Sequence, residues 1–96
     1  GGDGIISVTA NVAPKLTSNL QNAWVEGNYK EAFIVNSKIS HLNHLLFVES
    51  NPCPVKYIAH ILGMCDYEIR LPLTKISKQN QEKLEKVVKK LALKYY

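Results

Sequence analysis

His41 and His44 stand three apart in a segment of helical periodicity, a spacing that sets both imidazoles on one helix face within reach of a single metal ion. No third ligand accompanies them at a convincing spacing, although Glu49 follows one further turn along, so a polar helix flank is the plainer reading. His60, on a later helical stretch, reads as a surface or boundary residue in the same way. A Schiff-base lysine or an activated nucleophile needs neighbours that tune it, and Lys56, at a helix start, has none identifiable. Cys53 and Cys65 lack CxxC spacing and read as free thiols of a cytosolic protein, with a disulfide as the weaker alternative. The GGDG start resembles phosphate-cradling loops only superficially. A dinucleotide fingerprint places its glycines after a strand and before a helix, whereas these precede the strand. Glu49 with Asn51-Pro52-Cys53-Pro54 is either a site loop or, foremost, a structural hinge. No Ser/His/Asp or Cys/His set is recognisable, and no metal or cofactor is expected.

The elements that must position these residues follow from periodicity and breakers. Residues 5–9 (IISVT) are almost continuously apolar and β-branched, the habit of a strand buried on both faces in a parallel sheet. No later segment reads as a second such strand, and a lone buried strand leaves its backbone groups unpaired. Its neighbours are therefore expected in sequence beyond these residues. Pro14 opens a helix whose inner face is Leu16, Leu20, Ala23 and Trp24, stopped by Gly27. Asn28 and Glu31 form a capping-box-like start to the next helix. Its stripe is Ala32, Val35, Ile39, Leu42 and Leu46, widened by Phe33 and Leu45, and it is expected to reach Val48 or Glu49. Pro52 and Pro54 break it. Pro54 then opens a third helix with Val55, Ile58, Ala59 and Leu62 inward, ended by Gly63. Residues 65–77 read as irregular but apolar around Leu71 and Leu73, hence packed on a core surface. Ser77 caps a last helix with Leu84, Val87, Val88 and Leu91 inward, and Glu82–Lys86 and Glu85–Lys89 are favourable i,i+4 pairs.

The chain has 96 residues, a formal charge of +4 and an ordinary apolar share, which suits one domain with a modest core and argues against disorder. Much of the positive excess lies in residues 83–94. There the lysines interleave with glutamates and lack arginine, and Tyr95 and Tyr96 are not spaced as a stacking platform. A solvated face is the reading, and neither nucleic acid nor a membrane is expected as partner. No apolar run approaches the roughly 18 residues of a membrane span, and no signal-peptide pattern is present. Met64 is the only methionine, so the chain is expected to be a processed, excised or truncated piece.

Three stretches, GGDGIISVTAN (residues 1–11), FVESNPCPVK (47–56) and RLPLT (70–74), resemble in order and spacing the C-terminal third of the dihydrodipicolinate synthase family. The wider superfamily includes N-acetylneuraminate lyase and sugar-acid aldolases, and the SVTAN and RLPLT wording leans to the synthase. The resemblance implies an α/β fold of which this chain is a C-terminal fragment, itself mostly α. Residues 1–27 would hold the last strand and last helix of a (β/α)8 TIM barrel, and residues 28–96 a C-terminal helical domain. Active sites of such barrels lie at the C-terminal ends of the strands. In the family a lysine on an earlier strand forms a Schiff base with pyruvate, assisted by a tyrosine and a threonine, and the enamine attacks aspartate semialdehyde on the diaminopimelate route to lysine. None of those three residues falls in this chain, so it carries no catalytic residue and is expected to be inactive alone. One substrate-binding position carries over, Ile6, whose side chain would wall the bound keto acid; Thr9 and Asn11 could border the pocket. Pyruvate and aspartate semialdehyde are the implied partners of the full enzyme, which the resemblance makes a cytoplasmic homo-oligomer, commonly a tetramer. The alternatives are another pyruvate-dependent aldolase of the superfamily, or a non-catalytic helical binding module whose strand adds to a partner's sheet edge. Partial helicity with weak cooperativity is expected of the isolated chain, because the strand and the inner face of the first helix lack their cover.

Overall fold

The computed structural model describes residues 1–94; Tyr95 and Tyr96, weighed above as a stacking platform, lie outside the described residues. The four expected helices form: α1 (Pro14–Val25), α2 (Tyr29–Leu45), α3 (Cys53–Ile61) and α4 (Lys78–Leu91). No strand is present among the described residues. Residues 4–7 are irregular, and the chain turns at Val8 into a short 3₁₀ segment, Thr9–Asn11, that overlaps the end of the expected strand. The correction has a simple cause. A strand is made by its ladder of hydrogen bonds to a neighbour, and no described residue pairs with this segment in such a ladder. Ile6 is consequently fully exposed, and Ile5 nearly two-thirds so.

The helix ends match their signals. Pro14 sits in the first turn of α1, where a missing N–H costs nothing, and Gly27 adopts φ +75° just after the helix, a conformation that a Cβ would strain. The Asn28 side-chain oxygen accepts from the Glu31 N–H at 3.2 Å, half of the capping box. The reciprocal donor, the Asn28 N–H, goes instead to the Ala23 carbonyl at 2.8 Å and locks the α1–α2 turn. Ser77 Oγ accepts from the Asn80 N–H at 3.3 Å and caps α4. Helix α2 stops at Leu45, short of Val48, because the next turn tightens to i→i−3 bonds, Phe47 N–H to His44 and Val48 N–H to Leu45. Helix α3 begins one residue ahead of Pro54, at Cys53.

Helices α1 and α2 pack as a hairpin, α4 crosses α2 and α3, and the 3₁₀ segment is wedged against α1 and α3. The core lies where α2, α3 and α4 meet: Leu42, Leu46, Ile58 and Leu84 are wholly buried, with Cys53, Tyr57, Ile76 and Val87 around them. Val12 and Ala13, just after the 3₁₀ segment, belong to the same core. Two side chains assigned inward stand outward. Trp24 is 57% exposed and stacks only on Tyr29, ring centroids 4.8 Å apart, while Phe33 is 68% exposed. Both lie near the turn of the hairpin, where cover is partial: Trp24 shares a hollow with Gly2, Gly4 and Ile5. Within α1 only Thr17 and Ala23 are buried; the Thr17 hydroxyl is satisfied by the Ala13 carbonyl at 2.9 Å.

Candidate functional site

The three sequence stretches singled out above are far apart in the chain and meet at the same core. Val8 from the first, Val48 and Val55 from the second, and Leu73 from the third all belong to or pack against the same apolar cluster. The second and third stretches also share two hollows. Glu49, Ser50 and Cys53 face Pro72, Leu73 and Thr74 across one of about 200 Å³, and Pro52 and Lys56 face Arg70 and Leu73 across another of about 280 Å³. The apolar loop around Leu71 therefore lies on the core through Leu73, as its composition predicts, although Leu71 itself points to solvent.

Hydrogen bonds fix these loops. The Glu49 carboxylate accepts from the Ser77 N–H at 2.9 Å and from Asn80 Nδ2 at 2.7 Å. Those bonds, the Asn80 side chain first, hold its acid below the usual carboxylate range, and the first turn of α4 is where an anion is favoured. Glu49 thus joins the second stretch to the last helix and is not a free base. Lys56 Nζ donates to the Glu68 carbonyl, so its ammonium is used to tie α3 to the irregular segment. The Tyr67 hydroxyl accepts from the Ile76 N–H at 2.9 Å, its ring edge-on to Tyr57. Tyr57 donates to Glu85 at 2.6 Å. Burial first, then that bond and the glutamate's charge, push the Tyr57 phenol up to about 12. Burial likewise raises Tyr67.

The residues weighed for chemistry are placed as follows. His41 and His44 are both exposed on α2 and no group of three metal-ligating side chains exists among the described residues. His41 shares a hollow with Lys38 and Lys90, cationic company that opposes a metal ion. His60 is a surface residue whose Nδ1 lies 3.1 Å from the Cys65 carbonyl and whose ring stacks on Tyr67. Cys53 is buried and Cys65 exposed, both as free thiols. Thr9 is buried and donates to Asn43 Oδ1 of α2 at 2.6 Å, and Asn11 donates to the Val8 carbonyl at 3.0 Å. Ile6 is fully exposed. The structure adds Asn43, Tyr57 and Tyr67, which join elements across the core. Reasoning on sequence missed them because a polar residue that bonds across 34 positions, as Asn43 does, leaves no local signal.

Comparison with known proteins places this arrangement. A family model described as the dihydrodipicolinate synthetase family matches residues 1–91. The 4-hydroxy-tetrahydrodipicolinate synthase of Magnetococcus marinus is 46% identical over 93 residues, covering 97% of this chain and 32% of that protein. The synthase of Parvibaculum lavamentivorans is 48% identical over 84 residues, 88% of this chain and 29% of its own. Among solved structures, the dihydrodipicolinate synthase of Aquifex aeolicus superposes with a TM-score of 0.93 at 43% identity, over 97% of this chain and 32% of its own. A monomeric dihydrodipicolinate synthase variant superposes with a TM-score of 0.94 at 42% identity, over 97% of this chain and 31% of its own. The chain spans about a third of the length of these relatives.

Proposed function

The chain belongs to the dihydrodipicolinate synthetase family, and from that membership we propose that it is the C-terminal part of a pyruvate-dependent lyase, a 4-hydroxy-tetrahydrodipicolinate synthase. The whole protein condenses pyruvate with aspartate semialdehyde on the diaminopimelate route to lysine. A lysine amine adds to the keto carbon of pyruvate and water leaves. The resulting iminium loses a methyl proton to give an enamine, whose carbon attacks the aldehyde carbon. In this reading that lysine and its assisting tyrosine and threonine lie outside the 96 residues, and these residues alone are inactive. Support comes from Lys56, the lysine of the second stretch, whose ammonium is tied to a backbone carbonyl rather than aimed into a pocket. Ile6 walls the bound keto acid from the last strand of the barrel. Its complete exposure here suits a side chain whose cover belongs to the rest of that barrel.

One observation carries the reading. The match runs across residues 1–91, and Ile5, Ile6, Trp24 and Val25, four of the exposed large apolar side chains, fall within residues 1–27. Residues 1–27 then serve as the last βα unit of a TIM barrel, and residues 28–96 as the helical domain beyond it. The whole protein is a cytoplasmic homo-oligomer in this proposal.

A chimera tests it: the Aquifex aeolicus synthase with its last third replaced by residues 1–96, treated with pyruvate and borohydride alongside the isolated chain. The expected result is a reduced pyruvate adduct on a lysine of the Aquifex portion, with none on the isolated chain. A folded chimera without adduct, or a stable adduct on any lysine of the 96-residue chain, refutes the proposal.

A further inference from the structure

We infer that Asn43 is a positioning residue for the keto-acid site of the whole protein: through Thr9 it fixes the end of the segment that carries Ile6, and with it the apolar wall of that site. The inference rests on the synthase reading above. A single contact motivates it. The Thr9 hydroxyl donates to Asn43 Oδ1 at 2.6 Å, across 34 positions of the chain. Thr9 is buried, and Asn43 is half-buried on α2. Among the described residues no other side-chain hydrogen bond joins residues 1–27 to residues 28–96. Both partners lie within these 96 residues, so the contact needs no cover from elsewhere.

Thr9 is the centre of a short self-bonded turn. Its carbonyl accepts from the Val12 N–H at 3.1 Å and from the Ala13 N–H at 2.9 Å. Ser7 Oγ accepts from the Ala10 N–H at 3.1 Å, and the Val8 carbonyl accepts from both the backbone and the side chain of Asn11. Residues 7–13 therefore move as one piece, and Ile6 is the residue that leads into it. The turn's other hold on the core is apolar, through Val8, Val12 and Ala13. Apolar contact is non-directional and tolerates sliding, whereas a hydrogen bond weakens steeply once it leaves its geometry. Asn43 thus selects one placement of the turn among those that apolar packing allows.

For a keto acid that rests on Ile6, this placement decides two things. A wall that touches the acid equally before and during the reaction adds uniform binding, so displacing it raises KM and leaves kcat. A wall that recedes also makes room. An acid one methylene longer than pyruvate, such as 2-oxobutyrate, then gains on pyruvate, and one methylene in an apolar pocket is worth roughly tenfold or more in discrimination. A bond that served stability alone would lower the amount of folded enzyme and leave that discrimination unchanged.

The chimera with the Aquifex aeolicus synthase is the enzyme for the test, carrying Asn43→Ala, Asn43→Asp or Thr9→Val. N43D keeps an oxygen acceptor, and T9V keeps the side-chain shape while removing the hydroxyl. N43A is expected to raise KM for pyruvate about tenfold with kcat held within about twofold, and to lower the kcat/KM ratio of pyruvate to 2-oxobutyrate several-fold. T9V is expected to reproduce both changes, the T9V/N43A pair to add nothing further, and N43D to restore both. In the 96-residue chain, N43A is expected to speed amide exchange at Val12 and Ala13 several-fold and to leave Leu84 unchanged. Unchanged KM and ratio in a folded N43A or T9V chimera, a loss confined to kcat, additive effects of the pair, or failure of N43D to restore would each overturn the inference alone. So would unchanged exchange at Val12 and Ala13. An unsubstituted chimera that folds and gives no borohydride adduct overturns the synthase reading, and this inference with it, whatever the exchange shows.

Discussion

Replacing Leu84 by alanine tests whether α2, α3 and α4 close a core of their own. Leu84 is wholly buried on α4, in the cluster that includes Leu42, Leu46 and Ile58. The substitution removes three carbons from a site that the three helices cannot collapse upon without moving, and such changes cost about 2–5 kcal/mol. Alanine's better helix propensity returns only a few tenths of that. We expect a loss of about 3 kcal/mol, a large fraction of the stability available to a chain this short, and a fall in Tm on the order of 12–20 °C. Phe33→Ala is the matched contrast. It removes a larger apolar side chain that is 68% exposed at the hairpin tip, so a change within about 0.5 kcal/mol is expected. Urea unfolding followed by circular dichroism at 222 nm measures both. Equal effects of the two substitutions, or a loss under about 1 kcal/mol for Leu84→Ala, would show that the cluster does not hold the chain together and that the helices depend on cover from elsewhere.

Alkaline pH is expected to weaken the fold through Tyr57. Its phenol is raised from 10.0 to about 12, so the stability it contributes is full below 10 and is lost as pH climbs through about 12; Tyr57→Phe should flatten that slope in an alkaline unfolding titration. Glu49 acts at the acid end: its acid is lowered from 4.5, so its contribution is present above that value and disappears as pH falls through the depressed one. Glu49→Ala should therefore cost about 1 kcal/mol at neutral pH, from the lost bonds to the first turn of α4, and less once the carboxyl is protonated, as read by urea melts across pH. Gly27→Ala adds a methyl that meets nothing within 4 Å at a φ of +75°, so it tests backbone strain alone. A loss of about 1–2 kcal/mol is expected in thermal unfolding, and an unchanged Tm would refute the left-handed cap.

The sequence by itself determined the helices, because their signals are local. Pro14, Gly27, Asn28, Ser77 and the 3.6-residue apolar stripes act within a turn or two of chain. It also determined the family, through three short stretches whose order and wording needed no coordinates. Only the tertiary structure decided which apolar residues become core. Trp24 and Phe33 carry the same helical spacing as Ala23 and Ala32, yet burial needs a neighbour, and α3 and α4 reach only one end of the hairpin. The strand over residues 5–9 failed to form for the same reason. Its β-branched composition is local, whereas a strand's hydrogen bonds belong to its partners. Lys56, Glu49 and Thr9 show the rule at the level of single side chains. Their residue types admitted chemistry, and the bonds to Glu68, Asn80 and Asn43 that commit them elsewhere bridge 12, 31 and 34 positions, distances over which only folding brings atoms together.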